Sequence, residues 1–235
     1  MSAPTVLVVA KAPVAGQAKT RLGTNLGHEA AADLAAAALL DTLDAAAATT
    51  WPVVVAMTGD LTAAERADEV RAAIAPHHVV PQRGDTFAER LVAAHSEADV
   101  GHGVVQVGMD TPQVTADLLR QAGDALNDHD AALGLAEDGG WWVLAVRHGG
   151  LATCLADVPM STDDTGELTL RALTGSGARV ATLPVLADVD TLADAEAVAA
   201  LAPTTRFARA LHAHHTHTDH DETGTAPHGA KEGVA

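Results

Sequence analysis

The chain has 235 residues, with 14 Lys and Arg against 31 Asp and Glu, a formal net charge of −17. Hydrophobic residues make up 48% and charged residues 19%, which describes a globular core and excludes global disorder. The acidic balance argues against a nucleic-acid backbone or an anionic membrane as the main partner, and no run approaches the roughly 20 apolar residues that cross a bilayer.

The N-terminus MSAPTVLVVAKAP has no basic region ahead of its short apolar run, so it reads as a strand rather than a signal peptide. A single cysteine, Cys154, excludes an internal disulfide and a Cys-rich zinc module. A reducing cytoplasm is the expected location.

Thr5 to Ala10 is a continuous apolar run of the kind buried on both faces of a sheet. The Ala/Leu segment His28 to Ala48 is predicted as a helix. Val53 to Met57 follows as a strand, then a helix over Thr62 to Ile74, with Thr62 as N-cap and Glu65 completing a capping box. His78 to Pro81 is a short strand, Thr86 to Ala98 a helix, Val104 to Gly108 a strand and Thr115 to Asn127 a helix. Ala131 to Leu135 and Trp141 to Val146 read as strands, Asp164 to Leu173 as a helix, Arg179 to Leu183 as a strand, and Leu192 to Leu201 as a helix. Strand–helix alternation at this spacing predicts an α/β domain with a mostly parallel, doubly wound sheet flanked by helices. The pattern fails near His212, so the expectation is one domain over residues 1–211 and a disordered, His-rich tail over 212–235 with loose affinity for transition metals.

In such a sheet, ligands sit beyond the carboxyl ends of the strands. The loop after Ala10 holds two of the three lysines, Lys11 and Lys19, with Arg21. Scarce cations gathered beside the first strand of an acidic protein point to an anion. Gly16 supplies backbone freedom, Pro13 stiffens the approach, and Lys19 and Arg21 can converge on phosphate oxygens. Ala18 stands where a Walker loop needs Gly, and no dinucleotide fingerprint is present.

Directly after an apolar strand comes Gly108-Met109-Asp110-Thr111-Pro112, a carboxylate suited to a divalent cation, or equally to the electrostatics of a helix start. Glu137-Asp138-Gly139-Gly140-Trp141-Trp142 permits close backbone approach to a ligand, although Asp-Gly is also an ordinary hairpin turn. The two tryptophans should point to opposite faces of their strand. In Asp188-Val189-Asp190-Thr191, Thr191 with Asp194 reads as a helix cap, leaving Asp190 and, more weakly, Asp188 for chemistry.

Together these segments resemble a bacterial GT-A-fold, glycosyltransferase-like family that opens with K-x-P-x-x-G-x-x-K-T-R-L, matched here at Lys11, Pro13, Gly16, Lys19, Thr20, Arg21 and Leu22. Its Gly-x-Asp-x-Pro, Glu-Asp-Gly-Gly-aromatic and Asp-x-Asp-Thr segments are similar to those at Asp110, Glu137 to Trp141 and Asp188 to Thr191. Gly84-Asp85 and Glu89-Arg90 also resemble a stretch of that family. Met160 stands where the family often has Trp, and Trp141-Trp142 replaces a more usual tyrosine pair in a chain with no Tyr.

The resemblance implies a single nucleotide-diphospho-sugar transferase-like domain with wider relatives among small guanylyltransferases. It implies a transferase using Mg²⁺ or Mn²⁺ on Asp110 and Asp190, with Asp110, Lys19 and Asp138 catalytic. Lys11, Pro13, Gly16, Lys19 and Arg21 would hold the nucleotide phosphates, and Glu137, Asp138, Gly139, Gly140 and Trp141 the substrate. The partners implied are a nucleoside triphosphate or nucleotide sugar and a small-molecule acceptor, with no nucleic acid and no membrane; a homodimer is compatible. Glycosyl transfer is the leading expectation and nucleotidyl transfer with release of pyrophosphate the second. From another class comes a non-catalytic nucleotide- or metal-binding protein working through its His-rich tail.

Overall fold

The structure is a computed structural model that describes residues 3–222. Seven strands form one sheet: β1 (Thr5–Lys11), β2 (Val53–Thr58), β3 (His78–Pro81), β4 (Val104–Gly108), β5 (Ala131–Leu135), β6 (Trp141–Val146) and β7 (Val180–Thr182). Their order is β3-β2-β1-β4-β6-β5-β7. Neighbours run parallel except around β6, which is antiparallel to both β4 and β5. The mostly parallel α/β architecture expected from the alternation is therefore present. Because β6 returns directly from β5, the Asp138–Gly140 turn joins them at the carboxyl end of β5, level with the ends of β1 and β4.

Helices cover both faces. On one side α2 (His28–Ala48), α3 (Ala67–Ile74) and α5 (Ala116–Ala125) bury Leu39, Leu43, Val70, Ile74 and Leu119 against the sheet. On the other, α4 (Phe87–Ala98), a 3₁₀ segment (Gly149–Asp157) and α6 (Thr165–Gly175) contribute Leu91, Ala94, Leu155 and Leu173. Burying each large side chain fully contributes about 1.5–3 kcal/mol. A third cluster forms on the far side of α2, where Leu22 of α1 (Thr20–Leu26), Val198 of α7 (Leu192–Leu201) and Phe207 of α8 (Arg206–Glu222) pack on Leu34. Asp41 of α2 accepts from the backbone N–H groups of Arg206 and Phe207, both at 2.9 Å, and so caps α8 from outside the helix.

Several boundaries depart from the sequence reading. The helix expected from Thr62 begins only at Ala67. Residues Leu61–Ala63 form a separate 3₁₀ turn capped by Asp60, and Arg66 takes a left-handed φ of 49° while its guanidinium makes paired bonds to Asp33 at 2.6 and 3.0 Å. That contact to α2 breaks the helix, and Glu65 serves no capping box. The first loop turns helical at Thr20, because Leu22 is drawn into the third cluster. The expected domain boundary at residue 211 falls inside α8. His212 to His215 continue that helix, His214 Nε2 lies 2.9 Å from Asp33 Oδ2, and residues 223–235 of the expected tail lie outside the described residues. Among the described residues no helix is long and apolar enough to cross a membrane.

Candidate active site

The four motif-bearing loops converge at the carboxyl edge of the sheet. Lys19 occupies the left-handed region at φ 47°, a strained conformation for a residue with a side chain. From there its ammonium reaches Asp110 Oδ2 at 3.1 Å and Asp190 Oδ1 at 3.2 Å. The Lys19 side chain is 13% exposed and the Asp110 side chain 42% exposed, so the ion pair is half inside and half open to solvent. Burial works against the ammonium, but the flanking carboxylates outweigh it and raise the Lys19 pKa. The same Lys19 charge holds Asp110 below its ordinary carboxylate range. Arg21 Nη1 stands 3.6 Å from Asp190 Oδ2, its side chain largely in solvent. A shallow recess of about 320 Å³ lies among Lys11, Lys19, Arg21, Asp110 and Asp190.

Next to this pair the loops after β5 and β7 bring Asp138, Asp188 and Asp190 together, with one oxygen from each within 4.8 Å of the others. The alignment is fixed by a parallel bridge between Ala136 and Leu186 and by the Glu137 N–H donating to Leu186 O at 3.1 Å. Burial, and then repulsion from Asp138 and Asp190, push the Asp188 carboxyl up to about 6. Three hard oxygen donors, of which only Asp190 has a cationic partner among the described residues, suit Mg²⁺ or Mn²⁺. Asp190 is shared between this cluster and Lys19.

From the cluster a cleft of about 360 Å³ runs across the ends of β1, β4 and β6. Its walls include Phe87, Leu91, Trp141 and Met160, and its floor includes two glutamines. Gln82 spends its amide protons on Ala10 O at 2.9 Å and Ala56 O at 3.0 Å, leaving Oε1 as a spare acceptor. Gln106, in the middle of β4, is 3% exposed, and its Oε1 lies 2.7 Å from His95 Nε2. Trp142 is buried in the core on one face and donates to Pro184 O at 2.9 Å, while Trp141 packs on the other face and borders the cleft, as the alternation predicts.

Of the residues singled out in the sequence, Lys19, Arg21, Asp110, Asp138 and Asp190 come together, and Gly140 and Trp141 join them along the cleft. Gly139 serves the fold: with φ at 88°, its Cα is so close to Asp163 that a Cβ would sit 1.8 Å from the Asp163 carbonyl oxygen. Asp138 Oδ1 also accepts from the Gly140 N–H at 2.8 Å, an Asx turn that orients the carboxylate. Gly16 adopts φ 74°, as its flexible role requires. Pro13 is buried, its carbonyl accepting from Glu65 N–H at 2.9 Å. Lys11 turns its ammonium back onto Gln17 O at 3.2 Å. Glu137 is exposed and does not line the cleft.

Asp188 carries more weight in the structure than its sequence context suggests. Gln82, Gln106 and Phe87 belong to none of the sequence motifs, and the lone polar residue in the apolar run VVQVG is the available signal for Gln106.

Residues 39–162 match the model of a bacterial family described as "Uncharacterized protein conserved in bacteria (DUF2064)". The chain belongs to that family. Among solved structures it is similar to a protein from Desulfovibrio desulfuricans G20 provisionally described as a nucleotide-diphospho-sugar transferase. The two share 27% identity and a TM-score of 0.79 over 94% of this chain and 96% of that one. The fold is shared by Rv0371c from Mycobacterium tuberculosis H37Rv, determined in complex with manganese, at 23% identity and TM-score 0.52, covering 84% of this chain and 98% of the other. It is shared too by a nucleotidyl transferase from Methanothermobacter thermautotroptrophicus, at 17% identity and TM-score 0.53, covering 87% and 100%. No curated protein matches the chain. The DUF2064 chain thus carries the single-domain fold found in nucleotide-diphospho-sugar transferases and nucleotidyl transferases.

Proposed function

We propose that this protein is a metal-dependent transferase with a nucleoside-phosphate donor, and that it transfers a glycosyl group from a nucleotide sugar to a small acceptor. The observation that carries the reading is the meeting of Lys19 and Arg21 with the Asp138–Asp188–Asp190 cluster at the end of a cleft with a largely neutral wall. Asp138, Asp188 and Asp190 would hold Mg²⁺ or Mn²⁺, with Asp110 adjacent through Lys19. When bound, the metal supplies positive charge against the phosphates of the donor and its leaving group. The manganese complex of Rv0371c supports Mn²⁺ as the first metal to try.

Lys19 also acts on the donor directly. Held between Asp110 and Asp190, its ammonium is positioned before any substrate arrives, so little reorganisation is needed as charge develops on the leaving phosphate. Arg21 is free to swing onto phosphate oxygens from the solvent side. Trp141 and Met160 border the acceptor end. Catalysis then rests on positioning and charge neutralisation more than on an acid–base pair. Nucleotide donors are cytoplasmic metabolites, and the reading carries that location with it.

Nucleotidyl transfer is the second reading, favoured by the two cations of the first loop. There an acceptor oxygen attacks the α-phosphorus, the bond to the β-phosphate oxygen breaks, and pyrophosphate leaves. Lys19→Ala separates the two. A glycosyltransferase should lose affinity for a nucleoside triphosphate and for a nucleotide sugar to a similar degree in calorimetric titrations with Mn²⁺. A nucleotidyltransferase should lose roughly tenfold to a hundredfold for the triphosphate and much less for the sugar donor. If neither affinity changes, the phosphate assignment of the loop is wrong. A chain ending at Glu222 keeps every residue of this site and should bind as the full chain does; loss of binding there would favour a role for the tail.

A further inference from the structure

His95 and Gln106 form a buried polar pair directly beneath the cleft, and the phosphate and metal chemistry above does not use it. His95 on α4 is fully buried. Its Nε2 faces Gln106 Oε1 at 2.7 Å, and its Nδ1 has no hydrogen-bond partner. Burial drives the imidazole down to about 4, so it is neutral near pH 7. A neutral ring facing a carbonyl oxygen must carry its proton on Nε2, which makes His95 the donor and fixes which way the Gln106 amide points. The reverse orientation would leave an N–H buried without an acceptor, a rarer and costlier arrangement than the lone acceptor seen here.

The consequence falls on the other end of the amide. Gln106 Nε2 makes no hydrogen bond within the protein and is not sealed from solvent, and Gln106 lines the cleft. Val9 and Leu91, which line the same cleft, are apolar. A strand buried on both faces gains nothing from a polar side chain unless something uses it. Gln82 repeats the pattern from the other side of β1: one end locked onto two backbone carbonyls, the other end spare toward the same cleft. Apart from Arg90 on α4, the charged groups that line the cleft sit at the end of β1 and on the loops that follow β4, β5 and β7.

We propose that Gln106 is a ligand-binding residue, donating from its side-chain amide to an uncharged oxygen or ring nitrogen in the nucleoside half of the donor, and that His95 is the positioning residue that aims it. The inference rests on the nucleotide reading of the cleft. The phosphates go to Lys19, Arg21 and the aspartates, and the uncharged half of the same molecule reaches the glutamine floor.

The test titrates UDP, CDP, GDP and ADP, and inorganic pyrophosphate as the base-free control, each with Mn²⁺, into wild type, Gln106→Met, His95→Phe and the double variant. Gln106→Met keeps the volume but lacks the donor. It should weaken the diphosphate that wild type binds best by about tenfold and leave pyrophosphate unchanged. His95→Phe should weaken the same nucleotide less, and should add little once Gln106 is already Met. The double variant replaces the polar pair with apolar groups of similar size, so it tests the result in a core with no orphaned partner. Equal losses for nucleotide and pyrophosphate, or no loss for either, would overturn the assignment of Gln106 while leaving the nucleotide site standing. If wild type binds pyrophosphate but none of the four nucleotides, both the assignment and the reading beneath it fail.

Discussion

The two ends of the cleft solve opposite problems. At one end Lys19, Arg21, Asp110, Asp138, Asp188 and Asp190 are crowded together, and their placement is strained: Lys19 takes a left-handed backbone and Asp188 holds its proton to about 6. At the other end Gln82, Gln106 and His95 are neutral, buried or half-buried, and locked by ordinary hydrogen bonds of 2.7–3.0 Å. On the proposed reading the charged end is where phosphate and metal bind: Lys19 and Arg21 already pair with Asp190 there, while Asp138 and Asp188 have no ion-pair partner among the described residues. The neutral end is already formed and, on the same reading, is where the ligand is selected. Metal-free stability should therefore depend on the second far more than on the first.

The turn between the two ends gives the largest expected effect. Gly139 links Asp138 to the strand that carries Trp141, and an added methyl at φ 88° would strike the Asp163 carbonyl. Gly139→Ala should cost about 3 kcal/mol or more in chemical denaturation. A loss below about 1 kcal/mol would mean that the two loops are not locked together.

The neutral end should reveal itself in acid. His95 is held neutral to about 4 by burial, against 6.5 for an unperturbed histidine. Between those values the unfolded chain binds a proton that the folded chain refuses, so stability is lost as pH falls through 6.5 and the loss levels off near 4. The linkage is worth up to about 3 kcal/mol. Denaturation between pH 7 and 4.5 should show a steeper decline for wild type than for His95→Phe. Parallel profiles would place His95 in a wetter environment than the structure gives it.

At the charged end the smallest stability effect is expected. Arg21 is 79% exposed in its side chain and touches Asp190 only at 3.6 Å. Arg21→Ala should change the unfolding free energy by less than about 0.5 kcal/mol, yet weaken pyrophosphate binding several-fold. A marked destabilisation would show that the pair with Asp190 is structural.

The sequence is most legible where local chemistry decides the outcome. Helix α2 begins and ends where its Ala/Leu composition does, and the Thr191–Asp194 cap forms as its spacing requires. Legibility fails where a distant partner decides: Arg66 delays the start of a helix because Asp33 waits on α2, and Leu22 makes a helix of a loop because α7 and α8 supply its pocket. The site follows the same rule. Asp110 stands out from its Gly-x-Asp-x-Pro context, but its pairing with Lys19 spans 91 positions and has no local signature. The meeting of Asp138 with Asp188 depends on backbone pairing between Leu135–Glu137 and Leu186, about 50 positions apart.

The central claim is that the aspartate cluster holds a divalent metal on which nucleotide binding depends. Calorimetric titration of Mn²⁺, followed by a nucleoside diphosphate, into wild type and Asp188→Asn tests it most directly. Mn²⁺ affinity should fall at least about tenfold in the variant and nucleotide affinity with it, while the metal-free thermal midpoint stays level or rises because repulsion from Asp138 and Asp190 is relieved. Undiminished Mn²⁺ binding in Asp188→Asn, or nucleotide binding indifferent to Mn²⁺ in wild type, would contradict the account.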